Sequence, residues 1–263
     1  MSIERIEPGT AGWSAYYANH INRYMFALQQ IDRNTPARLL DAACGVGYGT
    51  QFLANHTQCH STGVDINTHA LDIANRQFRT PNTDFLLDDC TKLNNAASKG
   101  LYDYVVSFET FEHLSEPEAF LESTKKVMKP GGKVILSTPN INVSSPGSSD
   151  GKVAWEFHEK EYTPAEFYGM IDAAGFKNIQ FYGQQYTTRG KLKSELMGDL
   201  HQLWSNPFMR AGRWIQQVFR GRKFEPLMKE SIEDFEIVPY GSPADCDALK
   251  TNGPFVQIIV AEK

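Results

Sequence analysis

Residues 38–49 read RLLDAACGVGYG. The apolar run that opens this segment is typical of a buried strand, and a helical pattern follows it near residues 48–56. The glycines between them let the backbone turn sharply and pass close to a ligand, and the N-terminus of a helix presents unpaired N–H groups. The segment therefore predicts a strand, a glycine loop and a helix, with a ligand site at the carboxyl end of the strand.

Short apolar segments separated by helical patterns continue along the rest of the chain. The predicted strands after the first are HSTGVDI (60–66), DFLLDD (84–89), YDYVVSF (102–108), KVILSTP (133–139), NIQFYGQ (178–184) and FVQIIVAE (255–262). This alternation is typical of a mostly parallel sheet with helices on both faces. We therefore predict an α/β fold built on a Rossmann-like sheet of seven strands.

The length of 263 residues fits one large domain better than two. We expect a cap helix near residues 11–31 and a ligand-binding core near 35–140. Segments on the substrate side are expected near 140–163 and 190–230, the second being a helical insertion before the last strand.

Composition and charge indicate which partners and which cellular compartment to expect. The hydrophobic fraction is 41% and the net charge is −5, which indicates a globular protein and argues against a DNA or RNA partner. The four cysteines form no CxxC pair, as expected in a reducing compartment. No apolar signal segment or membrane-spanning stretch is present, so we expect a soluble, cytoplasmic protein.

Acidic residues accompany the glycine loop. Asp41 precedes Gly45 by four residues, and Asp65 ends the second predicted strand, where a carboxylate can accept hydrogen bonds from a ribose diol. The glycines are spaced G-x-G-x-G rather than the G-x-G-x-x-G of dinucleotide-binding folds. An NAD-type Rossmann domain is the alternative interpretation of the same loop.

With these features and KPGGKVILSTPN (129–140), the chain resembles the class I S-adenosylmethionine (SAM) dependent methyltransferases over about residues 35–140. The resemblance implies SAM as cofactor, with the strand-one aspartate and glycines at its methionine part. It places the strand-two acid at the ribose and the acid after strand three, with its neighbour, at the adenine. Asp89 is preferred to Asp88 because it fits the family spacing F-x-x-x-D-x-x-x-L. The implied cofactor-binding residues are Asp41, Gly45, Gly47, Asp65, Ile66, Asp89, Cys90 and Phe108.

Strand four is followed by Glu109, Glu112 and His113. If a helical turn starts there, these residues share one face, and two carboxylates crowded together favour a cation. The E-x-x-E-H run resembles those of the ubiquinone-biosynthesis O-methyltransferases and the small-RNA terminal 2′-O-methyltransferases. The second group implies a further histidine after the STPN turn, which is His158 here.

The predicted metal ligands are therefore Glu109, Glu112, His113 and His158, and their chemistry suits Mg²⁺ or Mn²⁺. Two alternatives to a metal site stay open for these four residues. His113 can act as a metal-free base with Glu109 beside it as the second catalytic residue, or the run has a structural role only.

The segments YYANHINRYMF (16–26) and FHEKEYTPAEF (157–167) resemble bacterial methyltransferases encoded with glycan-assembly enzymes. That resemblance implies methyl transfer to a hydroxyl of a sugar or glycan. His20, Arg23 and Tyr24 are candidates to cap the SAM site from the N-terminal helix, and an ordinary helix face is the alternative interpretation. The alternatives are O-methylation of a catechol or quinone precursor, N-methylation of an amino sugar, and a non-catalytic SAM-binding partner of a glycan-assembly enzyme.

Residues 206–224 carry five basic and no acidic side chains at near-helical spacing. A basic amphipathic helix of this kind can cover the active site as a lid, lie on an anionic membrane surface, here the inner face of the membrane, or bind an acidic partner. The sequence predicts no oligomeric state.

Overall fold

The computed structural model describes residues 7–147, 153, 157–195 and 230–263. Within these ranges the chain forms one sheet of eight strands in the order β3-β2-β1-β4-β5-β8-β6-β7. The strands are β1 (Ala37–Ala42), β2 (Cys59–Asp65), β3 (Thr83–Leu87), β4 (Tyr102–Phe108), β5 (Met128–Pro139), β6 (Lys177–Tyr186), β7 (Phe235–Tyr240) and β8 (Val256–Glu262). The prediction of an α/β sheet is confirmed, whereas the count of seven strands is wrong.

The first five strands are parallel. β1 lies between β2 and β4, and β3 and β5 flank these three. The carboxyl ends of β1, β2 and β4 therefore meet at one edge, with β1 central. Because the order of the strands reverses at β1, a crevice opens at this edge, which is where doubly wound sheets bind ligands.

The other three strands alternate in direction. β8 lies between β5 and β6 and is antiparallel to both, and β7 is antiparallel to β6 at the edge of the sheet. β7 is the strand that the sequence pattern did not reveal. Its segment FEIVPY contains Pro239, which lacks the N–H that a central strand needs but is tolerated on an edge strand.

The helices that frame the sheet are α1 (Ala11–Gln30), α2 (Tyr48–His56), α3 (Thr68–Ile73), α4 (Asn94–Ser98), α5 (Pro117–Val127), α6 (Ile141–Ser144) and α7 (Pro164–Ala173). Two cores form on opposite faces because successive strand residues point to opposite sides. Leu39 packs in the cluster that contains α1 and α2 residues, and Leu40 in the cluster that contains residues of α5 and α7.

Local signals fix the starts of two helices. The Thr163 hydroxyl accepts the N–H of Glu166, and the Glu166 carboxylate accepts the N–H of Thr163, which forms a capping box at the start of α7. The predicted N-terminal helix is α1, which Thr10 caps. Residues 188–195 are helical, and they begin the predicted insertion.

Parts of the sequence predictions fall outside the described ranges. The basic stretch 206–224 and most of the predicted insertion are among them, so their helical character stays a prediction. No helix in the described ranges is long and apolar enough to span a membrane.

Candidate active site

The glycine loop after β1 is held by backbone conformation. Gly45 and Gly47 have φ values of 55° and 88°, and Gly47 caps the N-terminus of α2. A Cβ added at Gly47 would lie 2.6 Å from the ring of Phe85 and 2.8 Å from the Cβ of Ala74. A Cβ added at Gly45 would meet nothing within 4 Å. Gly47 is therefore required by packing, whereas Gly45 borders open space that a ligand can approach.

Asp65 connects the end of β2 to this loop. One carboxylate oxygen accepts the N–H of Gly45 and the other accepts the N–H of Asn67, each at 2.8 Å. A carboxylate has about four acceptor positions, so two remain available for hydroxyl donors. The next residue, Ile66, is 71% exposed and presents an apolar surface beside the carboxylate. This pair fits the polar sugar and the apolar base of a nucleoside.

Asp41 lies beneath the loop and is fully buried. Its carboxylate accepts the hydroxyl of Thr50 at 2.7 Å and that of Tyr24 at 3.3 Å. Burial raises the pKa of Asp41 to about 7, and the charge of Asp65 adds to the rise, although both hydroxyls oppose it. Asp41 thus ties α1, β1 and α2 together, and its predicted contact with the methionine part of SAM stays a prediction.

Two aspartates follow β3 and differ in environment. The buried Asp88 accepts the N–H groups of Asp89 and Ala96, which fixes the turn before α4 and its first residues. Asp89 is partly exposed and pairs with Lys92 at 2.8 Å. Cys90 is partly buried, and desolvation raises the pKa of its thiol to about 12. The adenine contacts assigned to Asp89 and Cys90 stay predictions.

The run after β4 is not one helical turn. Glu109 has a φ of 52°, and a short 3₁₀ turn covers only Phe111–His113. The expectation that Glu109 shares a helical face with the other two residues is therefore wrong. A left-handed backbone is costly for any residue but glycine, and a double contact with Ser137 accompanies it here. The Ser137 hydroxyl donates to the Glu109 carboxylate at 2.7 Å and accepts its N–H at 3.2 Å.

Glu112 is a buried carboxylate in the 3₁₀ turn after β4. It is 1% exposed and accepts the Thr138 hydroxyl at 2.9 Å. Burial raises the pKa of Glu112 well above its usual value, and the neighbouring Glu109 charge raises it further. Such a carboxylate is stabilised by a proton or by a cation. Its backbone carbonyl accepts the N–H groups of Glu159 and Lys160, which holds the segment from residue 157 against β4.

That segment brings His158 to His113. Their ring centroids lie 5.0 Å apart. Nδ1 of His113 bonds to the carbonyl of Phe157 at 2.9 Å, and Nδ1 of His158 bonds to the carboxylate of Glu161 at 2.7 Å. An oxygen partner at Nδ1 selects the tautomer whose Nε2 carries the lone pair, as in histidine ligands of metals.

Glu161 is buried and accepts the hydroxyls of Ser144 and Ser145. Burial alone would raise the pKa of Glu161, but its hydrogen bonds with His158 and the two serines lower it on balance. Sequence reasoning did not assign a role to Glu161. The signal was its position three residues after His158, within a segment already singled out.

Three of the four predicted metal ligands come together. Ligand atoms of Glu112, His113 and His158 all lie within 4.8 Å of one another. Glu109 is not part of this group, and its carboxylate is bound to Ser137 instead. The arrangement can hold a divalent cation, and it sits at the end of β4, next to the crevice at the end of β1.

Comparisons with known proteins identify the family of the chain. Residues 15–181, more than half of the chain, match a family model described as a methyltransferase domain. The chain belongs to this methyltransferase family. Together with named SAM-dependent relatives, the match identifies a SAM-dependent methyltransferase, so the NAD alternative falls.

This methyltransferase has relatives of two acceptor types. It is 29% identical to a probable S-adenosylmethionine-dependent methyltransferase of Mycolicibacterium smegmatis, over 67% of this chain and 65% of that protein, just under two thirds of the relative's length. It is 28% identical to the ubiquinone biosynthesis O-methyltransferase of Vibrio parahaemolyticus, over 62% of this chain and 74% of that enzyme. A phosphoethanolamine N-methyltransferase 2 of Haemonchus contortus shares the fold, with a TM-score of 0.55, 16% identity, and 92% and 52% of the two chains covered.

Proposed function

We propose that this methyltransferase transfers the methyl group of SAM to one oxygen of a vicinal diol, with a divalent metal ion holding the acceptor. The observation that carries the proposal is the group of Glu112, His113 and His158, whose ligand atoms lie within 4.8 Å of one another. Mg²⁺ and Mn²⁺ suit a site of carboxylate and imidazole ligands.

The residues around the group fit a cation. Glu112 is buried beside Glu109, and desolvation followed by the Glu109 charge raises the pKa of Glu112. A metal ion would relieve both effects. Each histidine has an oxygen partner on Nδ1, and the partner of His158 is itself a buried carboxylate held by two serines. Such outer partners orient histidine ligands in metal sites.

The chemistry requires the acceptor oxygen to lose a proton and to attack the methyl carbon. A bond forms between that oxygen and the methyl carbon, the bond from the carbon to sulfur breaks, and the products are a methyl ether and S-adenosylhomocysteine (SAH). A bound metal ion lowers the pKa of an attached hydroxyl. Glu109, whose carboxylate lies outside the metal-capable group, is the base at the end of β4 that we propose takes the proton.

Two acceptor classes share the vicinal diol. The relative named for ubiquinone biosynthesis supports a catechol, and the segments at 16–26 and 157–167 support a sugar hydroxyl or glycan. Both acceptors present two adjacent oxygens, which can bind one metal ion together. The proposal therefore specifies a vicinal diol, and the transfer assay distinguishes a catechol from a sugar.

The test measures metal binding and methyl transfer separately. Mn²⁺ binding is measured by calorimetry on the wild type, on His158→Ala and on His60→Ala. His60 pairs with Asp84 near the N-terminal ends of β2 and β3, away from the crevice at the carboxyl ends. It serves as the matched control. We expect one Mn²⁺ site in the wild type and in the control, and at least about tenfold weaker binding in His158→Ala.

Methyl transfer is then assayed on catechol, methyl glycosides with adjacent hydroxyls, and an amino sugar. We expect EDTA to abolish transfer and Mg²⁺ or Mn²⁺ to restore it, with a diol preferred to its monodeoxy analogue. Full transfer in EDTA together with no Mn²⁺ binding would contradict the proposal and favour His113 as a metal-free base. Transfer to the amine alone would indicate an N-methyltransferase, and SAM binding without any transfer a non-catalytic protein.

A further inference from the structure

Gln257 is a polar side chain in the middle of β8, on the face of the sheet that packs against α5 and α7. It is fully buried, and Ile259 and Ala261, the following β8 residues on this face, belong to the apolar core there. The side-chain oxygen of Gln257 has no hydrogen-bond donor among the residues that the structure describes. A buried acceptor without a donor is unfavourable, so the amide needs a reason to be there.

The amide nitrogen of Gln257 supplies that reason, because it bonds to two separate parts of the chain. Nε2 donates to the backbone carbonyl of Pro139 at 3.0 Å and to that of Tyr162 at 2.8 Å. Pro139 ends β5, and Tyr162 ends the segment 157–162 that carries a histidine of the proposed metal site. One amide therefore joins β8, β5 and this segment, which an apolar side chain cannot do.

The segment 157–162 is held at two points, one on each side of the bond between His158 and Glu161. On one side the Glu112 carbonyl accepts two N–H groups of the segment. On the other side the Tyr162 carbonyl accepts the Gln257 amide, and the two hydrogen bonds have to form together for the segment to lie where it does. The position of His158 thus depends on a residue of β8 that it does not contact.

The same amide is linked to Glu112 through a cross-strand pair. Gln257 and Thr138 lie directly opposite each other on the antiparallel strands β8 and β5, so their side chains share one face of the sheet. The Thr138 hydroxyl donates to the Glu112 carboxylate at 2.9 Å. Thr138 therefore holds the carboxylate of the metal-capable group, and Gln257 holds the segment that brings His158 to it.

We propose that Gln257 is a positioning residue that sets the distance between His158 and Glu112 and so completes the metal-capable group. It acts through the Tyr162 carbonyl and does not itself contact a ligand. Metal ligands have to be held within about 0.5 Å of the productive geometry, so loss of this contact weakens metal binding. The metal rests on the proposed function, whereas the placement of His158 by Gln257 does not.

The test uses two variants of Gln257 and a matched control. Gln257→Met keeps the length of the side chain but removes both N–H donors, and Gln257→Asn keeps the amide but is too short to reach both carbonyls. The control is Ser123→Ala. Ser123 is buried on α5, and its hydroxyl lies 2.6 Å and 2.9 Å from the carbonyl oxygens of Cys90 and Phe120. The control therefore also loses contacts between a buried side chain and two carbonyls.

Two measurements are made on each protein after circular dichroism has shown that it folds. Calorimetry should give at least about tenfold weaker Mn²⁺ binding in Gln257→Met, a smaller loss in Gln257→Asn and no change in Ser123→Ala. NMR of the imidazole nitrogens in the metal-free protein, with His158→Ala to identify the signals of His158, needs no metal. These signals should shift in Gln257→Met and stay unchanged in Ser123→Ala.

The positioning role is overturned if folded Gln257→Met has the Mn²⁺ affinity and the His158 signals of the wild type. It is also overturned if Ser123→Ala loses as much Mn²⁺ affinity, since the effect would then be general destabilisation. If Gln257→Met does not fold, Gln257→Asn decides by the same criteria. A wild type that binds no Mn²⁺, together with shifted His158 signals in Gln257→Met, would overturn the proposed function and support the positioning role.

Discussion

The crevice has two sides that are built differently. We call the glycine loop (43–47) with Asp65 the cofactor side, after its proposed ligand. Glu109, Glu112, His113 and His158 form the proposed acceptor side. On the cofactor side the binding groups are backbone atoms in left-handed conformations and one carboxylate with two backbone donors. On the acceptor side they are side chains. A segment more than 40 residues away in the sequence holds the side chain of His113 and the backbone carbonyl of Glu112.

The electrostatic character of the two sides also differs. Each oxygen of the Asp65 carboxylate accepts one N–H from a neighbouring residue of the same side of the crevice. The buried Glu112 carboxylate accepts the Thr138 hydroxyl and lies 3.9 Å from Nε2 of His113, and the charge of Glu109 adds to the rise in its pKa that burial causes. The cofactor side is thus complete as a folded element, whereas the acceptor side needs a proton or a cation. The two sides should therefore respond separately to mutation.

The largest expected effect is on the cofactor side, at Gly47. Gly47→Ala forces a Cβ against Phe85 and Ala74 at a φ of 88°. Overpacking costs about 1–3 kcal/mol and the left-handed backbone about 1–2 kcal/mol, so we expect the free energy of unfolding to fall by about 2–5 kcal/mol. Urea unfolding measures this change. Gly45→Ala is the matched control, because it adds only the backbone cost and should instead weaken SAM binding. Equal destabilisation by both variants would show that the loop is not packed as described.

Asp65→Ala tests whether the sides are independent. It removes the acceptor of the Gly45 N–H and the proposed ribose contact, and we expect SAM binding to weaken by about 1.5–3 kcal/mol. Mn²⁺ binding should stay unchanged, since the metal-capable group contains no residue of β2. Calorimetry measures both. Asp84→Ala, at the opposite end of the neighbouring strand β3, is the control and should leave both affinities unchanged. Loss of Mn²⁺ binding in Asp65→Ala would contradict the division into two sides.

The pH dependence of stability sharpens the comparison further. The pKa of Asp41 is raised from 3.8 to about 7 by burial, so the folded protein holds a proton there that the unfolded chain releases. This contribution is fully present below pH 3.8 and is lost as the pH rises through about 7. Its slope is about 1.4 kcal/mol per pH unit. As the pH rises from 5 to 7, the free energy of unfolding measured in urea without ligand should fall less for Asp41→Asn than for the wild type. Identical pH profiles would show that Asp41 titrates normally.

The sequence predicts the cofactor side of the crevice better than the acceptor side. Strand and helix periodicity is a local signal, and the elements that it predicts lie close to their predicted places. Asp65 ends β2 as predicted. β7 was missed because an edge strand with a proline carries little periodicity. On the acceptor side, the E-x-x-E-H run identified Glu112 and His113. It could not reveal that Glu109 adopts a left-handed backbone and binds Ser137, because those contacts join separate strands.

Arg23 illustrates the same limit. Its position on the N-terminal helix makes it a candidate cap of the cofactor site, but its guanidinium donates to Gln184, which lies 161 residues away on β6. The buried network around it is a property of the assembled sheet and helix.

The smallest expected effect separates local helix stability from binding on the acceptor side. Thr163→Ala removes the hydroxyl that accepts the Glu166 N–H and begins α7 shortly after Glu161. Loss of such a cap costs about 1 kcal/mol, which thermal unfolding detects. SAM binding should stay unchanged, because Thr163 lies on the acceptor side. The matched residue on the cofactor side is Asn67, which caps α3. Asn67→Ala should cost a similar amount of stability. Asn67→Ala keeps the backbone N–H that donates to Asp65, so SAM binding should stay unchanged in this variant as well. A weaker affinity for SAM in Thr163→Ala, with no change in Asn67→Ala, would mean that the cofactor extends across the side assigned here to the acceptor.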